Sequence, residues 1–180
     1  RNHVLFESKT DGSSIRVEKF VLEHFQLLGW KGYHAENSII TTLYGLLFWD
    51  ILFDDSVPGV FAHPYQDRPL DLYTEFFFES RRSSIFLRLD EIRNGSASLL
   101  ICNVYNRERK KNTRCIGVNW DRFSLADILE IVDCISAVAL GSICELFSRQ
   151  YWSHRGGRPD LCLWNPDKKK FKLVEVKSEN

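Results

Sequence analysis

Near its carboxyl end the chain reads Arg158-Pro159-Asp160-Leu161 and, one apolar run and one turn later, Leu173-Val174-Glu175-Val176-Lys177. Two carboxylates that converge repel each other unless a proton or a cation lies between them. Oxygen donors suit a hard divalent ion, Mg²⁺ or Mn²⁺. Asp160 and Glu175 would then be ligands, and Lys177 would orient an attacking water or offset charge growing on a phosphate. Metal-assisted hydrolysis of a phosphodiester is the chemistry this set fits. The plainer alternative is a solvated sheet face on which the three charges are merely exposed. Two features weigh against it. Gly156-Gly157, just upstream, permits close backbone approach to a ligand, and Glu175 and Lys177 interrupt an otherwise core-like strand.

The elements that must position these groups can be read locally. Leu161-Cys162-Leu163-Trp164 is an apolar run, Asn165-Pro166-Asp167 marks a turn, and Phe171 to Lys177 has strand composition. Together they predict a β-hairpin. Side chains alternate along a strand, so Glu175 and Lys177 share a face and Asp160 can oppose Glu175. A third acid, Glu36, stands where a long apolar helix begins. Alone it reads as an acid complementing a helix dipole; brought to the hairpin, it would complete an oxygen cage.

Elsewhere the periodicity predicts a helix over 16–29 ended by Gly29, a turn at 31–34 and a buried helix over 37–53. Pro and Gly over 55–70 predict a loop. Ser83 or Ser84 would cap a helix carrying Ile85, Leu89 and Ile92. Residues 99–105 and 115–120 read as strands flanking a basic loop, 107–114. Ser124 would cap a further helix, with Gly141 dividing it from a second one that reaches Tyr151.

Composition sets bounds. A chain of 180 residues, 44% hydrophobic and 27% charged, can bury a core and makes one domain, or one and a fragment. Lys plus Arg number 24 and Asp plus Glu number 24, so no global field draws it to nucleic acid or membrane. From 149 to 177, however, eight basic residues face three acids. The five cysteines form no C-x-x-C pair and most lie in apolar runs, which predicts buried free thiols in a reducing compartment and no structural zinc. The longest apolar stretch, 43–53, is far short of the roughly 20 residues a bilayer requires.

Several blocks occur in order: Glu36-Asn37-Ser38, Leu46 to Ile51, Pro69 to Leu72, Ser80-Arg81-Arg82, Trp120 to Phe123, Arg155 to Leu161, and Phe171 to Lys177. Together they resemble the carboxy-terminal VRR-NUC domain of the Fanconi-associated nucleases, within the PD-(D/E)xK superfamily. The resemblance implies an α/β, restriction-endonuclease-like core with an added helical portion. It places residues 1–15 in a linker or preceding-domain tail and 16–180 in the nuclease domain. It also implies that this stretch stops short of the core's last helix and strand. The implied activity is that of a structure-specific DNA nuclease, a 5′-flap endonuclease and 5′-to-3′ exonuclease in interstrand crosslink repair. Asp160, Glu175, Lys177 and Glu36 match the family's motif, with the Val176 carbonyl as a further ligand for Mg²⁺ or Mn²⁺. Arg149, Arg155 and Arg158 are the implied DNA-binding residues, and Trp152 stands where relatives can carry an arginine. Nuclear location, DNA partners with 5′ flaps, branches or crosslinks, and Fanconi-pathway and mismatch-repair proteins bound through other regions are further implications; no membrane is implied. A non-catalytic junction-binding module is the alternative.

Other residues have plainer readings. The basic run at 107–114 reads as a solvated tip, His34 as a structural histidine, and Asp50 and Asp121 as buried polar partners. Ser80-Arg81-Arg82 fits either a structural role or DNA contact.

Overall fold

The computed structural model describes residues 5–34, 38–155 and 159–177, with the side chain of Arg155 excepted. The chain divides into two compact units. One comprises residues 1–37 and 157–180, the other residues 38–156.

The first unit carries the hairpin. Ahead of it, within the segment read as a linker, β1 (Phe6–Glu7) pairs antiparallel with β2 (Ser14–Ile15). Two contacts tie this turn to α1 (Val17–Leu27). Phe6 stacks on Phe20 with ring centroids 5.2 Å apart. The buried Glu23 carboxylate accepts from the Ser8 hydroxyl and the Lys9 amide, each at 3.0 Å. Gly29, at φ 79°, ends the helical run in the left-handed region that glycine adopts without strain. The chain then enters β3 (Lys31–His34), which local composition had marked as a turn. Its partner is β4 (Leu161–Asn165), in the register Lys31↔Trp164 to His34↔Leu161, and β5 (Lys170–Val174) pairs on the other edge of β4. The sheet order is β3-β4-β5, antiparallel throughout.

Every residue of β4 is buried, as a central strand requires. Leu161, Leu163 and Trp30 form the core of this unit, packed by Val21, Leu22 and Phe25 of α1 and by Val174 and Val176. Asn165 pins the turn: its Nδ2 donates to the Gly29 carbonyl at 2.9 Å and its Oδ1 accepts from the Lys168 amide at 2.9 Å. Gly32 lets α1 lie close on the sheet. A Cβ there would lie 2.5 Å from Leu163 Cδ2 and 2.7 Å from Leu22 Cδ1.

The second unit is helical among its described residues. α2 (Ser38–Leu47) and α3 (Trp49–Leu52) are almost wholly buried, as the all-round apolar pattern predicts. They are two helices rather than one, because Phe48 departs to φ −108°, ψ 15°. A 3₁₀ turn (Leu70–Tyr73) leads to α4 (Glu75–Ser80) and α5 (Arg82–Arg93), so Ser83 and Ser84 lie inside α5 and Arg81 takes the cap position. The predicted strand over 99–105 is part of α6 (Ala97–Glu108). Its buried positions, Ala97, Ile101, Val104 and Glu108, recur at three and four residues, which is a helical period. Residues 115–120 form turns rather than a strand. α7 (Leu125–Cys134) starts as expected at Ser124, whose Oγ accepts from the Asp127 amide at 3.1 Å. The break before α8 (Ala137–Arg155) falls at Ile135-Ser136, not at Gly141. Gly141 instead lets α8 approach α5, since a Cβ would lie 2.9 Å from Arg93 Cγ. Among the described residues no single helix is long and apolar enough to cross a membrane.

Candidate active site

At the end of the β4–β5 hairpin, the backbone amide of Val176 donates to Asp160 Oδ2 at 2.8 Å. This bond follows from the register. Leu161 pairs with Val174, so one step further Asp160 stands opposite Glu175. β5 ends at Val174, and the Asp160 carboxylate takes over the role of a strand partner for the next segment. Val174 and Val176 pack against the Trp30, Leu161 and Leu163 core. Alternation therefore sends Glu175 and Lys177 to the opposite face.

Asp160 is half-buried, whereas Glu175 and Lys177 are exposed. Asp160 Oδ1, the Glu175 carboxylate and the Lys177 ammonium have no hydrogen-bond or ion-pair partner among the described residues. The Val176 carbonyl lies beyond the last paired position of β5. The available donors are thus oxygens clustered on one strand end, a set that fits a hard divalent cation. Among the described residues no three His, Cys, Asp or Glu side chains form a metal-holding group. Glu36 and Arg158 lie outside the described residues, as does the side chain of Arg155. His34, two positions before Glu36, is paired with Leu161, the neighbour of Asp160.

The hairpin and its register follow the sequence pattern. The Val176 amide was missed as the group that orients Asp160; the signal was the register itself, which places Asp160 beside residues 175–176.

Arg149 lies in the helical unit, on α8. Its guanidinium is bound to Glu145 at 2.9 Å and sits 4.0 Å from the centroid of the Phe78 ring. The Arg149 hydrogen bond, working against burial and aided by Arg93, holds the Glu145 carboxyl below its ordinary value. In the basic run, Arg107 pairs with Asp50 at 2.8 Å, Arg109 with Asp121 at 2.8 Å and Lys111 with Glu108 at 3.5 Å. Asp50 and Asp121 are therefore exposed ion-pair partners, 57% and 87% accessible at the side chain, not the buried polar partners expected of Asp50 on its apolar helix and of Asp121 beside Arg122. Arg81 is the buried one: its side chain has no exposure and pairs with Asp71 at 2.7 Å. Arg82 pairs with Glu79 at the surface.

The sheet with its paired carboxylate end and the helical remainder define a mixed α/β domain of the PD-(D/E)xK-like, VRR-NUC type, and residues 94–180 match the VRR-NUC domain family. A crystal structure of paFAN1 bound to 2nt 5′flap DNA with gap superposes with a TM-score of 0.82 at 29% identity, covering 91% of this chain and 29% of that one. The Fanconi-associated nuclease 1 homolog of Schizosaccharomyces pombe is 51% identical over 179 residues, 99% of this chain and 25% of the relative. The Fanconi-associated nuclease 1 of Homo sapiens is 40% identical over 167 residues, 91% of this chain and 16% of the relative. The chain belongs to the Fanconi-associated nuclease family, and it spans about a quarter of the length of the S. pombe relative.

Proposed function

We propose that this chain carries the catalytic site of a structure-specific, metal-dependent DNA nuclease that hydrolyses phosphodiester bonds at 5′ flaps and degrades DNA from 5′ to 3′. The observation that carries this reading is the Val176 amide bound to Asp160 Oδ2, which holds Asp160 beside Glu175 with its second oxygen unpartnered among the described residues. The DNA-bound relative supports the choice of substrate.

Asp160, Glu175, the Val176 carbonyl and Glu36 would hold Mg²⁺ or Mn²⁺. When bound, such a cation supplies Lewis-acid stabilisation of the phosphate and a water of lowered pKa. The chain's own residues do the rest. The Val176 amide fixes the Asp160 carboxylate, so no rotamer freedom is lost on binding. The Lys177 ammonium donates hydrogen bonds to the attacking water or to a nonbridging phosphate oxygen, where negative charge develops. Arg155, Arg158 and Arg149 would take phosphates of the bound strand, Arg149 after giving up Glu145. The activity serves interstrand crosslink repair in the nucleus, with Fanconi-pathway and mismatch-repair proteins as partners of other regions.

The test is cleavage of 5′-flap DNA with Mn²⁺ or Mg²⁺ by the parent and by Glu36→Ala, Asp160→Ala, Glu175→Ala and Lys177→Ala. Loss of cleavage with flap binding retained supports the assignment. Parent-like cleavage by Asp160→Ala or Lys177→Ala overturns it.

A further inference from the structure

Half of the basic residues between 149 and 177 stand around one turn, and the catalytic reading uses none of them. Residues 165–172 hold Lys168, Lys169, Lys170 and Lys172 against a single acid, Asp167. The backbone of this turn is fixed. The buried Asn165 accepts from the Lys168 amide and donates to the Gly29 carbonyl, each at 2.9 Å. The Lys169 amide donates to the Pro166 carbonyl at 3.3 Å, and Lys169 takes a left-handed φ of 49° that turns the chain into β5. A backbone already held this way loses little entropy when a ligand arrives.

The lysines differ in what they meet. Lys172 Nζ lies 4.6 Å from the Trp30 ring centroid and 5.6 Å from that of Phe25, so this cation packs on the α1 side of the sheet. Lys168 and Lys170 are exposed, and their ammonium groups have no hydrogen-bond or ion-pair partner among the described residues. In the basic run at 107–114, by contrast, Arg107, Arg109 and Lys111 each meet an acid. Lysines on an edge strand can block pairing with another chain, and β5 is an edge among the described strands. Lys168 lies in the turn, outside β5, where there is no edge to block. Two uncompensated cations on a fixed turn suit a polyanion.

The faces of the hairpin decide which part of a polyanion they can reach. Lys170, Lys172 and Val174 share a face, and Val174 packs there with Trp30, Leu161 and Leu163. Glu175 and Lys177 project from the other face. Lys170 stands five residues before Glu175, about 17 Å along the strand. Both belong to one hairpin within one unit, so β5 itself sets that spacing. A strand laid on the Glu175 face for cleavage stays on that face. The tip, with Lys170 directed to the opposite face, meets a different segment, and a branched DNA has one.

We propose that the tip of the β4–β5 hairpin, through Lys168 and Lys170, binds phosphates of a second duplex arm of a branched DNA while the other end of the hairpin faces the strand to be cut. This deepens the nuclease reading and rests on it for the choice of DNA.

The experiment compares the full chain with a Lys168→Gln, Lys170→Gln double variant and a Lys168→Arg, Lys170→Arg double variant. Affinity for a 5′-flap DNA is measured in EDTA, where no cleavage intervenes, over a range of salt. The glutamine pair should weaken binding about 2- to 30-fold and lower the slope of log affinity against log salt by about two. The arginine pair, still charged, should restore both. Neutral methylphosphonates placed in the duplex arm that lacks the cut strand should erase the difference between parent and glutamine pair; the same groups in the cut strand should leave it. With protein saturating and Mn²⁺ added, the single-turnover rate of the glutamine pair should match the parent. Both lysines are exposed, so the fold survives their replacement, which a thermal melt checks. Parent-like affinity and salt slope in the glutamine pair overturn the proposal. So does a difference that persists when the second arm is neutralised, or that vanishes only when the cut strand is. A slope that the arginine pair fails to restore overturns phosphate as the ligand. The catalytic assignment is tested apart: normal cleavage by Asp160→Ala removes it, whereas the binding measurements in EDTA decide the tip contact without any cleavage.

Discussion

The Val176 amide and the Asp160 carboxylate are joined at 2.8 Å, so the acid at the head of β4 is held by the backbone of the segment that carries Glu175 and Lys177. Two kinds of change at Asp160 should therefore separate. Asp160→Asn keeps an oxygen for the Val176 amide but removes the charge. Cleavage should fall by about 100-fold or more, with an unchanged melting temperature. Asp160→Ala should lose cleavage to the same extent and also about 1 kcal/mol of stability through the unpaired amide. Metal-dependent cleavage assays and urea denaturation of both variants distinguish the roles.

Lys177 is exposed, with no ion pair among the described residues. Its removal should cost nothing in folding and appear in turnover. Lys177→Ala is expected to lower kcat by about 100-fold with little change in flap Kd. Lys177→Arg should recover part of the rate, since it restores charge but not the compact ammonium geometry. Single-turnover rates and binding isotherms on the same DNA read the split.

The Arg81–Asp71 pair is buried, and Arg81 Nε, Arg81 Nη2 and Asp71 Oδ1 have no hydrogen-bond partner among the described residues. Breaking one side leaves an uncompensated charge. Arg81→Met alone should destabilise by about 3–5 kcal/mol, whereas Arg81→Met with Asp71→Leu should come close to neutral. Denaturant midpoints of the two single variants and the double variant complete the cycle.

Gly32 tests the close approach of α1 to the sheet. A methyl group there meets Leu163, Leu22 and, at 3.0 Å, the Cys162 carbonyl oxygen, and that backbone atom cannot rotate away. Gly32→Ala should cost about 1–3 kcal/mol, measured by thermal unfolding.

Burial pushes the Cys144 and Cys162 thiols up to about 12 from an ordinary 9.0, and Cys115 further still. Each stays protonated in the folded chain while its unfolded counterpart ionises. Above pH 9 the unfolded state therefore binds fewer protons, and stability falls by as much as about 1.4 kcal/mol per pH unit per thiol. Below pH 9 these groups add no slope. Denaturation midpoints between pH 8 and 11 should decline mainly above pH 9. At pH 8, half-buried Cys102 should react with a thiol reagent before the buried four.

Residue order carried the hairpin, because Asn165-Pro166-Asp167 and the alternation of 171–177 are local signals. It carried α1 with its Gly29 end and α7 with its Ser124 cap for the same reason. It misjudged 99–105, where a short apolar run is compatible with either period until burial selects Ala97, Ile101, Val104 and Glu108. It misjudged 31–34 because a strand's partner is not written beside it: β3 exists through β4, from the far end of the chain.

From the sequence follow the identities of the acids and the lysine, their order, and the face that Glu175 and Lys177 share, since strand alternation needs only neighbours. Tertiary structure alone decided which oxygen of Asp160 accepts from the Val176 amide, which cations are paired among the described residues, and that Asp50 and Asp121 face solvent while Arg81 does not. Charge pairing and burial depend on what packs from elsewhere in the chain, and no local pattern of residue types encodes that.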